Sequence, residues 1–244
     1  MDYRDFTKNE LSGILDTIQE CVRSRSDADV MNIVAKIKGL LSADNAVCAL
    51  GDASTGSLVK ILNLDYPEEW GGIYISEELY RKDPVIKYNY AFYRTHHWSE
   101  AVSLFNGKEQ LDLMNRATDF GLTFGLSSGV NGERCKGSIF SFSARQDRFE
   151  GRHKRILDII VPHIHQALVR ASERTARIDV PLSKREKEVL VWMKEGKTNW
   201  EISLILLISE RTVKFHVQNI ERKLNAVNKA HAIAIAFDSG LVSI

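Results

Sequence analysis

Cysteine is scarce in this chain of 244 residues. Its three cysteines, Cys21, Cys48 and Cys135, are odd in number and scattered, and no two of them have the C-x-x-C spacing. Disulfide frameworks and cysteine-ligated metal sites need paired or closely spaced cysteines. We therefore expect no metal site and a protein of a reducing compartment.

Long apolar stretches are also missing. The largely apolar run near residues 202–208 is far shorter than the roughly 20 residues of a membrane-spanning helix. The first ten residues, MDYRDFTKNE, contain acidic side chains and no apolar core, so they do not read as a secretory signal. We expect a cytoplasmic protein that does not use a membrane as a partner.

Neither sign of charge dominates, since the formal net charge is +1. Residues 177–244 carry 11 Lys and Arg against 8 Asp and Glu, whereas the remaining residues carry 22 against 24. A basic excess this small creates no broad attractive field around the C-terminal part. Binding of a polyanion would have to depend on a focused patch, doubled if the chain forms a dimer.

Catalytic motifs are absent as well. No Cys/His pair suggests an activated nucleophile, and no pair of carboxylates suggests acid–base catalysis. The tripeptide Gly196-Lys197-Thr198 resembles the end of a P-loop, but Val191 stands where that motif has its first glycine, and no strand precedes it. We predict a protein that is not an enzyme and that has no catalytic residues and no cofactor.

The chain does contain enough apolar material for packed cores. Its hydrophobic content of 44% argues against disorder, and its length allows one large or two modest domains. The polar segment ERTARIDVP follows a long amphipathic helix that begins near Glu150. We predict an N-terminal domain at 1–172, a linker at 173–181 and a C-terminal domain at 182–244.

Helix signals are strongest in the C-terminal domain. Ser183 and Glu186 form a capping box at the start of one helix, and Thr198 is the expected N-cap of the next, at about 199–206. A third helix follows at 210–224, and a last one at about 229–237. This pattern predicts an all-α four-helix domain that contains a helix-turn-helix.

The third of these helices has one apolar and one basic side. Apolar residues recur at intervals of four, three and four and form one stripe: Val213, Val217, Ile220 and Leu224. The opposite side carries residues that can contact phosphates and base edges: Arg211, Lys214, Gln218 and Arg222. A helix of this kind fits the major groove of B-DNA, yet a basic face is equally consistent with a merely solvated helix.

The fuller pattern at about 180–241 resembles the LuxR-type DNA-binding domain. The matching residues are Arg185-Glu186, Glu188-Val189-Leu190, Gly196, Glu201-Ile202, Ser209-Glu210-Arg211-Thr212-Val213-Lys214, His216, Asn219-Ile220 and Lys223-Leu224. The resemblance implies that the third helix is the recognition helix, with Lys214 and Gln218 meeting bases. It implies phosphate contacts from Lys197, Thr198, Thr212 and Lys223, and Arg211 joins the predicted DNA-binding residues from the basic face of the helix. Double-stranded DNA is therefore the expected partner.

The N-terminal domain mixes helical and strand periodicity. Helices are predicted at about 7–24, 27–41, 108–120 and 150–172, and strands near 46–50, 58–64, 123–130 and 137–144. Helices before, between and after the strands predict an α/β/α sandwich on an antiparallel sheet, so the chain as a whole is of the α+β class. Such a sandwich can enclose a cavity between one helical layer and the sheet. His96-His97 is expected in a surface loop.

One group of large aromatic residues and a carboxylate stands out in this domain: Tyr66, Trp70, Tyr74, Asp83 and Trp98. Trp70 and Tyr74 are four residues apart and so share one face of a short helix. Buried Trp and Tyr usually find a partner for their polar tips, and a buried Asp must be paired or hydrogen-bonded. Taken singly, each could be an ordinary core residue, or at Asp83-Pro84 a plain turn.

Together these residues resemble the autoinducer-binding domain of the LuxR family, which senses N-acyl homoserine lactones. The match extends to Pro84, to the glycines of GLTFG (Gly121 and Gly125) and to the strand SIFSFS. The resemblance implies the following roles: the Trp70 indole N–H donates to the lactone carbonyl, Asp83 accepts from the amide N–H, Tyr66 and Ser141 approach the amide carbonyl, and Tyr74 and Trp98 form aromatic walls.

Both resemblances together predict a transcription regulator that binds an N-acyl homoserine lactone and, as a homodimer, an inverted-repeat promoter site. Half-sites would lie one helical turn apart, ~34 Å. One alternative keeps the DNA binding but senses a different small molecule. A second, a phosphorylation-driven response regulator, needs an alternating βα pattern that the first 130 residues lack. A third, an enzyme with an appended DNA-binding domain, lacks a catalytic constellation.

Overall fold

The computed structural model describes residues 6–52, 55–132, 136–175, 181–239 and 241–242. The chain divides into two compact units, Met1–Ser172 and Glu173–Ile244. Cys135 and positions 176–180 of the predicted linker lie outside the described residues. None of the described helices combines the length and apolar character that crossing a bilayer requires.

Helices and strands alternate irregularly in the first unit. Its helices are α1 (Lys8–Arg23), α2 (Asp27–Leu40), α3 (Glu68–Ser76), α4 (Pro84–Phe92), α5 (Trp98–Leu104), α6 (Lys108–Asp119) and α7 (Gly151–Thr175). Its strands are β1 (Asn45–Asp52), β2 (Ser57–Asn63), β3 (His96–His97), β4 (Phe124–Ser128) and β5 (Lys136–Ala144). Local sequence sets several boundaries: for example, Thr7 with Glu10 forms a capping box at the start of α1. Helix α7 runs three residues beyond the predicted end at 172.

The five strands form one antiparallel sheet in the order β2-β1-β5-β4-β3. Because successive side chains in a strand face opposite sides, each face has its own residues. Cys48, Phe140 and their neighbours pack against α1, α2 and α7. The opposite face, with Ala49 and Ile139, packs against residues of α3 to α6. The predicted α/β/α sandwich and the α+β class are confirmed.

The expectation of a surface loop at His96-His97 is wrong for His96. The two residues form β3, which pairs with Ser127 and Leu126 of β4, and His96 is fully buried. The His96 ring lies 4.3 Å from the ring of Tyr88, and its Nδ1 hydrogen-bonds the carbonyl of Arg94 at 3.0 Å. A strand of two residues has no alternation that sequence reasoning can detect.

The second unit contains four helices in its described part: α8 (Lys184–Lys194), α9 (Asn199–Leu206), α10 (Glu210–Lys223) and α11 (Lys229–Asp238). Ser183 starts α8 with the predicted capping box. Thr198, predicted as an N-cap, forms a capping box with Glu201 at the start of α9, and Ser209 caps α10. Leu207, in the left-handed conformation, makes the turn between α9 and α10. The predicted apolar stripe of α10 is buried against the other helices, which confirms the four-helix helix-turn-helix domain.

Replacing Gly125 should destabilise the first unit. A Cβ atom on Gly125 would lie 2.0 Å from Cε2 of Trp98, whose side chain is only 6% exposed. Gly125→Ala should therefore displace the indole and cost about 1–3 kcal/mol, the usual range for overpacking a core. Thermal unfolding of the variant would show a lower Tm.

Gly72→Ala is the matched control, because Gly72 lies exposed on α3 and a Cβ there meets no atom within 4 Å. Alanine favours a helix over glycine by about 1 kcal/mol, so this variant should be at least as stable as the parent. An equal Tm for the two variants would contradict the close packing of Trp98 on Gly125.

Candidate functional site

A cavity of about 150 Å³ lies between the sheet and the helical layer that contains α3 to α6. All six predicted ligand-binding residues line it: Tyr66, Trp70, Tyr74, Asp83, Trp98 and Ser141. The rest of the wall is largely apolar, with Ile61, Leu113 and Leu122 among its residues. The fold thus brings together side chains from β5, α3, α5 and the loops before α3 and α4. The space is apolar, with polar groups confined to a few positions.

Asp83 is held in place by the start of α4. Its Oδ1 accepts hydrogen bonds from the backbone N–H groups of Val85 (2.7 Å) and Ile86 (3.4 Å), so Asp83 caps the helix. The Tyr74 hydroxyl donates to Oδ2 at 2.6 Å. Burial raises the pKa of Asp83 above its ordinary value, although the hydrogen bonds from Tyr74 and Val85 act in the opposite direction.

This arrangement leaves Asp83 able to accept one more hydrogen bond. An ionised carboxylate has about four acceptor positions, and its three observed partners occupy three of them. Tyr74 was expected only as an aromatic wall, but its hydroxyl also orients the carboxylate. Sequence spacing alone gave no sign of this contact.

Trp98 uses its indole N–H within the protein. Nε1 lies 2.9 Å from Oγ of Ser127 and 3.3 Å from Oγ of Ser141, and these two hydroxyls are 2.5 Å apart. Ser127 was not among the predicted site residues, because its place beside Ser141 depends on the pairing of β4 with β5. Trp98 and Ser127 together fix the hydroxyl that Ser141 presents at the cavity.

Two other polar groups of the cavity have no partner among the described residues. The Tyr66 hydroxyl is buried and makes no hydrogen bond of good geometry. Burial raises the pKa of Tyr66, and the nearby hydroxyls of Ser141 and Ser143 offset part of that rise. The Trp70 ring lies between Tyr74 and Phe120, with centroids 5.9 and 5.4 Å away, and its N–H bonds to no described residue. An unsatisfied buried hydroxyl is costly, so Tyr66 can gain from a bound ligand, and the Trp70 N–H is a second donor in the cavity lining.

The predicted DNA-facing residues occupy the outer surface of α10 and the start of α9. Arg211, Lys214 and Gln218 are exposed, and neither cation pairs with a described carboxylate. The others have local partners. Thr198 caps α9 through Glu201, Lys197 lies 3.7 Å from the same carboxylate, and Thr212 shares a 2.8 Å hydrogen bond with Ser209. Three unpaired polar side chains therefore face outward from α10.

Lys223 differs from the rest of this set. Its Nζ donates to Oε2 of Glu186 at 2.7 Å and to the carbonyl of Pro181 at 3.0 Å. Glu186 is only 3% exposed. Burial raises the pKa of Glu186, but the hydrogen bonds from Lys223 and Ser183 outweigh it and bring the pKa below its ordinary value. Lys223 thus ties the end of α10 to the start of α8, and any phosphate it meets must share its amino group with Glu186.

Both halves of the chain match known protein families. Residues 26–168 match the autoinducer binding domain, and residues 180–236 match the family described as bacterial regulatory proteins, luxR family. The chain belongs to the LuxR family of bacterial regulatory proteins. It is 32% identical over 178 residues to the quorum sensing-dependent transcriptional regulator RpaR of Rhodopseudomonas palustris, a match that covers 72% of this chain and 73% of RpaR.

Full-length relatives show the same domain pair. The transcriptional activator LuxR of Aliivibrio fischeri is 27% identical over 251 residues, covering 100% of this chain and 98% of that protein. The crystal structure of Escherichia coli SdiA is 26% identical with a TM-score of 0.65, covering 96% of this chain and 99% of SdiA. A structure of SdiA in complex with octanoyl-rac-glycerol is 25% identical with a TM-score of 0.64, covering 97% and 98%.

Family membership establishes the general role of this LuxR-type chain. It is a transcription regulator with a DNA-binding helix-turn-helix and an autoinducer-binding domain that takes a small-molecule ligand. Its relatives are transcriptional regulators rather than enzymes. Within the part of the chain that the structure describes, no three His, Cys, Asp or Glu side chains are grouped to hold a metal ion.

Breaking the ion pair of Lys223 should destabilise the helix-turn-helix domain. Lys223→Met leaves the Glu186 carboxylate buried without its cation, at a cost on the order of 2–3 kcal/mol. That is below the value for a fully buried pair, because the Lys223 side chain is 29% exposed. Calorimetric unfolding should show a lower Tm for this domain, whereas Arg222→Met, which changes an exposed neighbour, should not.

The pH dependence of this loss follows from the lowered pKa of Glu186. The stabilisation is present above the ordinary pKa of a glutamate, 4.5, and disappears as the pH falls through the lower value in the folded protein. The difference in Tm between Lys223→Met and the parent should therefore shrink as the pH falls below 4.5. A Tm difference that persists undiminished in acid would rule out the ion pair as its cause.

Proposed function

We propose that the cavity binds an N-acyl homoserine lactone. The observation that carries this proposal is the set of free polar groups around one apolar space: two donors, on Trp70 and Tyr66, and one remaining acceptor position on Asp83. An N-acyl homoserine lactone has one amide N–H, two carbonyls and an apolar chain. Each of its polar groups has a complement in the cavity, and the apolar wall suits the chain.

Individual roles follow from this chemistry. The Trp70 N–H donates to the lactone carbonyl, and Asp83 accepts from the amide N–H. The hydroxyls of Tyr66 and Ser141 approach the amide carbonyl, with Ser141 held by Trp98 and Ser127. Tyr74 keeps Asp83 in position. Filling the cavity would stabilise the folded sensor by mass action, since the ligand binds the folded form and satisfies groups that are otherwise unpaired.

For the domain organisation, we propose a sensor at 1–172, a linker at 173–181 and a DNA-binding domain at 182–244. We propose that the protein binds an inverted-repeat promoter site as a homodimer. Lys214 and Gln218 meet bases, and phosphate contacts come from Lys197, Thr198, Arg211 and Thr212. Lys223 adds positive potential near the end of α10. The small basic excess of this region supports a dimer, because two weakly charged domains bind DNA better than one.

Asp83→Asn should separate ligand binding from stability. The raised pKa of Asp83 shows that burial disfavours its charge, so a neutral amide that still caps α4 should leave the ligand-free protein at least as stable as the parent at neutral pH. The amide is a weaker acceptor for the ligand N–H, so the rise in Tm with a lactone should fall by at least half. Thermal melting with and without N-acyl homoserine lactones measures both.

The same melting experiment, carried out with a panel of compounds, distinguishes between classes of ligand. It should include aryl homoserine lactones and octanoylglycerol, since SdiA is known in complex with octanoyl-rac-glycerol. A rise in Tm with octanoylglycerol and with no lactone would favour a regulator of this family that senses a different small molecule. An unchanged lactone response in Asp83→Asn would remove Asp83 from the ligand site.

Lys214→Ala should weaken DNA binding without affecting the sensor. Loss of one base-contacting side chain typically costs about 1–3 kcal/mol, so affinity for a site selected in vitro by the parent should fall about tenfold or more. Electrophoretic mobility shift at several salt concentrations measures this change. Lys187→Ala removes the same charge from the exposed surface of α8 and should change affinity little. Equal losses in the two variants would contradict a recognition role for α10.

A further inference from the structure

The polar groups that line the sensor cavity are held in different ways. Asp83 is fixed by the backbone N–H groups at the start of α4. Ser141 is fixed by hydrogen bonds with Trp98 and Ser127. The Tyr66 hydroxyl, by contrast, makes no hydrogen bond of good geometry with any described residue. Apart from the packing of its ring, the position of Tyr66 therefore depends on the backbone that carries it.

That backbone is held by the side chain of Asn63, the last residue of β2. Oδ1 of Asn63 accepts a hydrogen bond from the Tyr66 N–H at 2.9 Å, and Nδ2 of Asn63 donates to the Tyr66 carbonyl at 2.9 Å. Among side chains, only the amides of Asn and Gln carry a carbonyl acceptor and N–H donors on one planar group. Both backbone polar groups of Tyr66 are thus bound by a single side chain.

The turn between β2 and Tyr66 has other attachments that do not involve Asn63. The Leu64 N–H donates to the carbonyl of Ala46 at 3.1 Å, and Oδ1 of Asp65 accepts from the Ala46 N–H at 2.7 Å. Oδ2 of Asp65 pairs with a lysine of α2. The turn is therefore tied to β1 and α2 by two residues, and Asn63 adds a separate hold on the tyrosine alone.

Asn63 is placed where it can affect Tyr66 without supporting the core. It is exposed at the end of the edge strand β2, so no buried packing depends on it. Its side-chain hydrogen bonds within the described residues both go to the Tyr66 backbone. A change at this position should therefore act mainly on the freedom of Tyr66.

We propose, resting on the proposed lactone function, that Asn63 is a positioning residue for ligand binding. It fixes the Tyr66 backbone so that the hydroxyl is in place for the amide carbonyl of the lactone before the ligand arrives. Ordering a free segment at the moment of binding weakens affinity, so a contact that is already in place binds more tightly. Asn63 acts through Tyr66 and need not touch the ligand.

The test is a double-mutant cycle on the full chain, titrated calorimetrically with hexanoyl, octanoyl and dodecanoyl homoserine lactone. Asn63→Ala should weaken affinity about fivefold to tenfold, since a loosened Tyr66 must be ordered on binding. Tyr66→Phe, which removes only the hydroxyl, should weaken affinity by a similar factor. Adding Asn63→Ala to Tyr66→Phe should cost less than about twofold, because the hydroxyl that Asn63 positions is already gone. A purely structural residue would cause the same loss in both backgrounds.

Asp65→Asn is the matched control, because it changes the same turn without touching the two hydrogen bonds of Asn63. It removes the charge that pairs with Lys38 but keeps an oxygen that can accept from the Ala46 N–H. Its lactone affinity should stay close to that of the parent. Where Asn63→Ala fails to fold, the nearly isosteric Asn63→Asp replaces it in the cycle, since it keeps the acceptor and loses the donor to the Tyr66 carbonyl.

Three outcomes would overturn this inference. The first is unchanged affinity in either Asn63→Ala or Tyr66→Phe. The second is an equal loss from Asn63→Ala in the parent and in the Tyr66→Phe background, which would mean that Asn63 acts independently of the hydroxyl. The third is a similar loss in Asp65→Asn, which would assign the effect to the turn as a whole. In all three the lactone function stands, whereas binding of none of the three lactones would refute both proposals.

Discussion

The close packing of Trp98 on Gly125 is the contact on which the sensor cavity depends. Only a residue without a Cβ allows the indole to lie so near β4. From that position the indole N–H reaches Ser127 and Ser141 on two adjacent strands, which fixes one polar point on an otherwise apolar face of the sheet. The helices above leave a space at this point, and the position of Ser141 determines which end of that space is polar.

The polar groups of the cavity link its stability to its function. Asp83 is buried with a raised pKa, and the Tyr66 hydroxyl and Trp70 N–H have no partner among the described residues. An unpaired buried hydroxyl such as that of Tyr66 costs about 1–3 kcal/mol. A ligand that satisfies them recovers this free energy only in the folded state, so the same features that weaken the empty sensor make its stability depend on the ligand.

The helix-turn-helix domain differs, because its helix starts and its buried carboxylate are satisfied by nearby groups. Each of the first three helices has a side-chain N-cap, and the buried Glu186 is paired with Lys223. Helix α10 is thereby fixed to the start of α8, while Arg211, Lys214 and Gln218 stay exposed. A rigid helix with unpaired outward side chains can meet DNA without first being ordered, which avoids an entropic cost of binding.

Much of this protein was evident from its sequence. Capping residues and the spacing of Val213, Val217, Ile220 and Leu224 determine the helix-turn-helix, because they act over one or two helical turns. The aromatic–aspartate group pointed to the cavity through family resemblance. Other features appear only when distant segments meet. Strand pairing places Ser127 beside Ser141 and buries His96 in a two-residue strand. Likewise Lys223, which as sequence looks like a phosphate contact, finds Glu186 only when α10 packs on α8. Local spacing decides what the helices are, but partners far apart in the chain decide which polar groups remain free, and that depends on the tertiary fold.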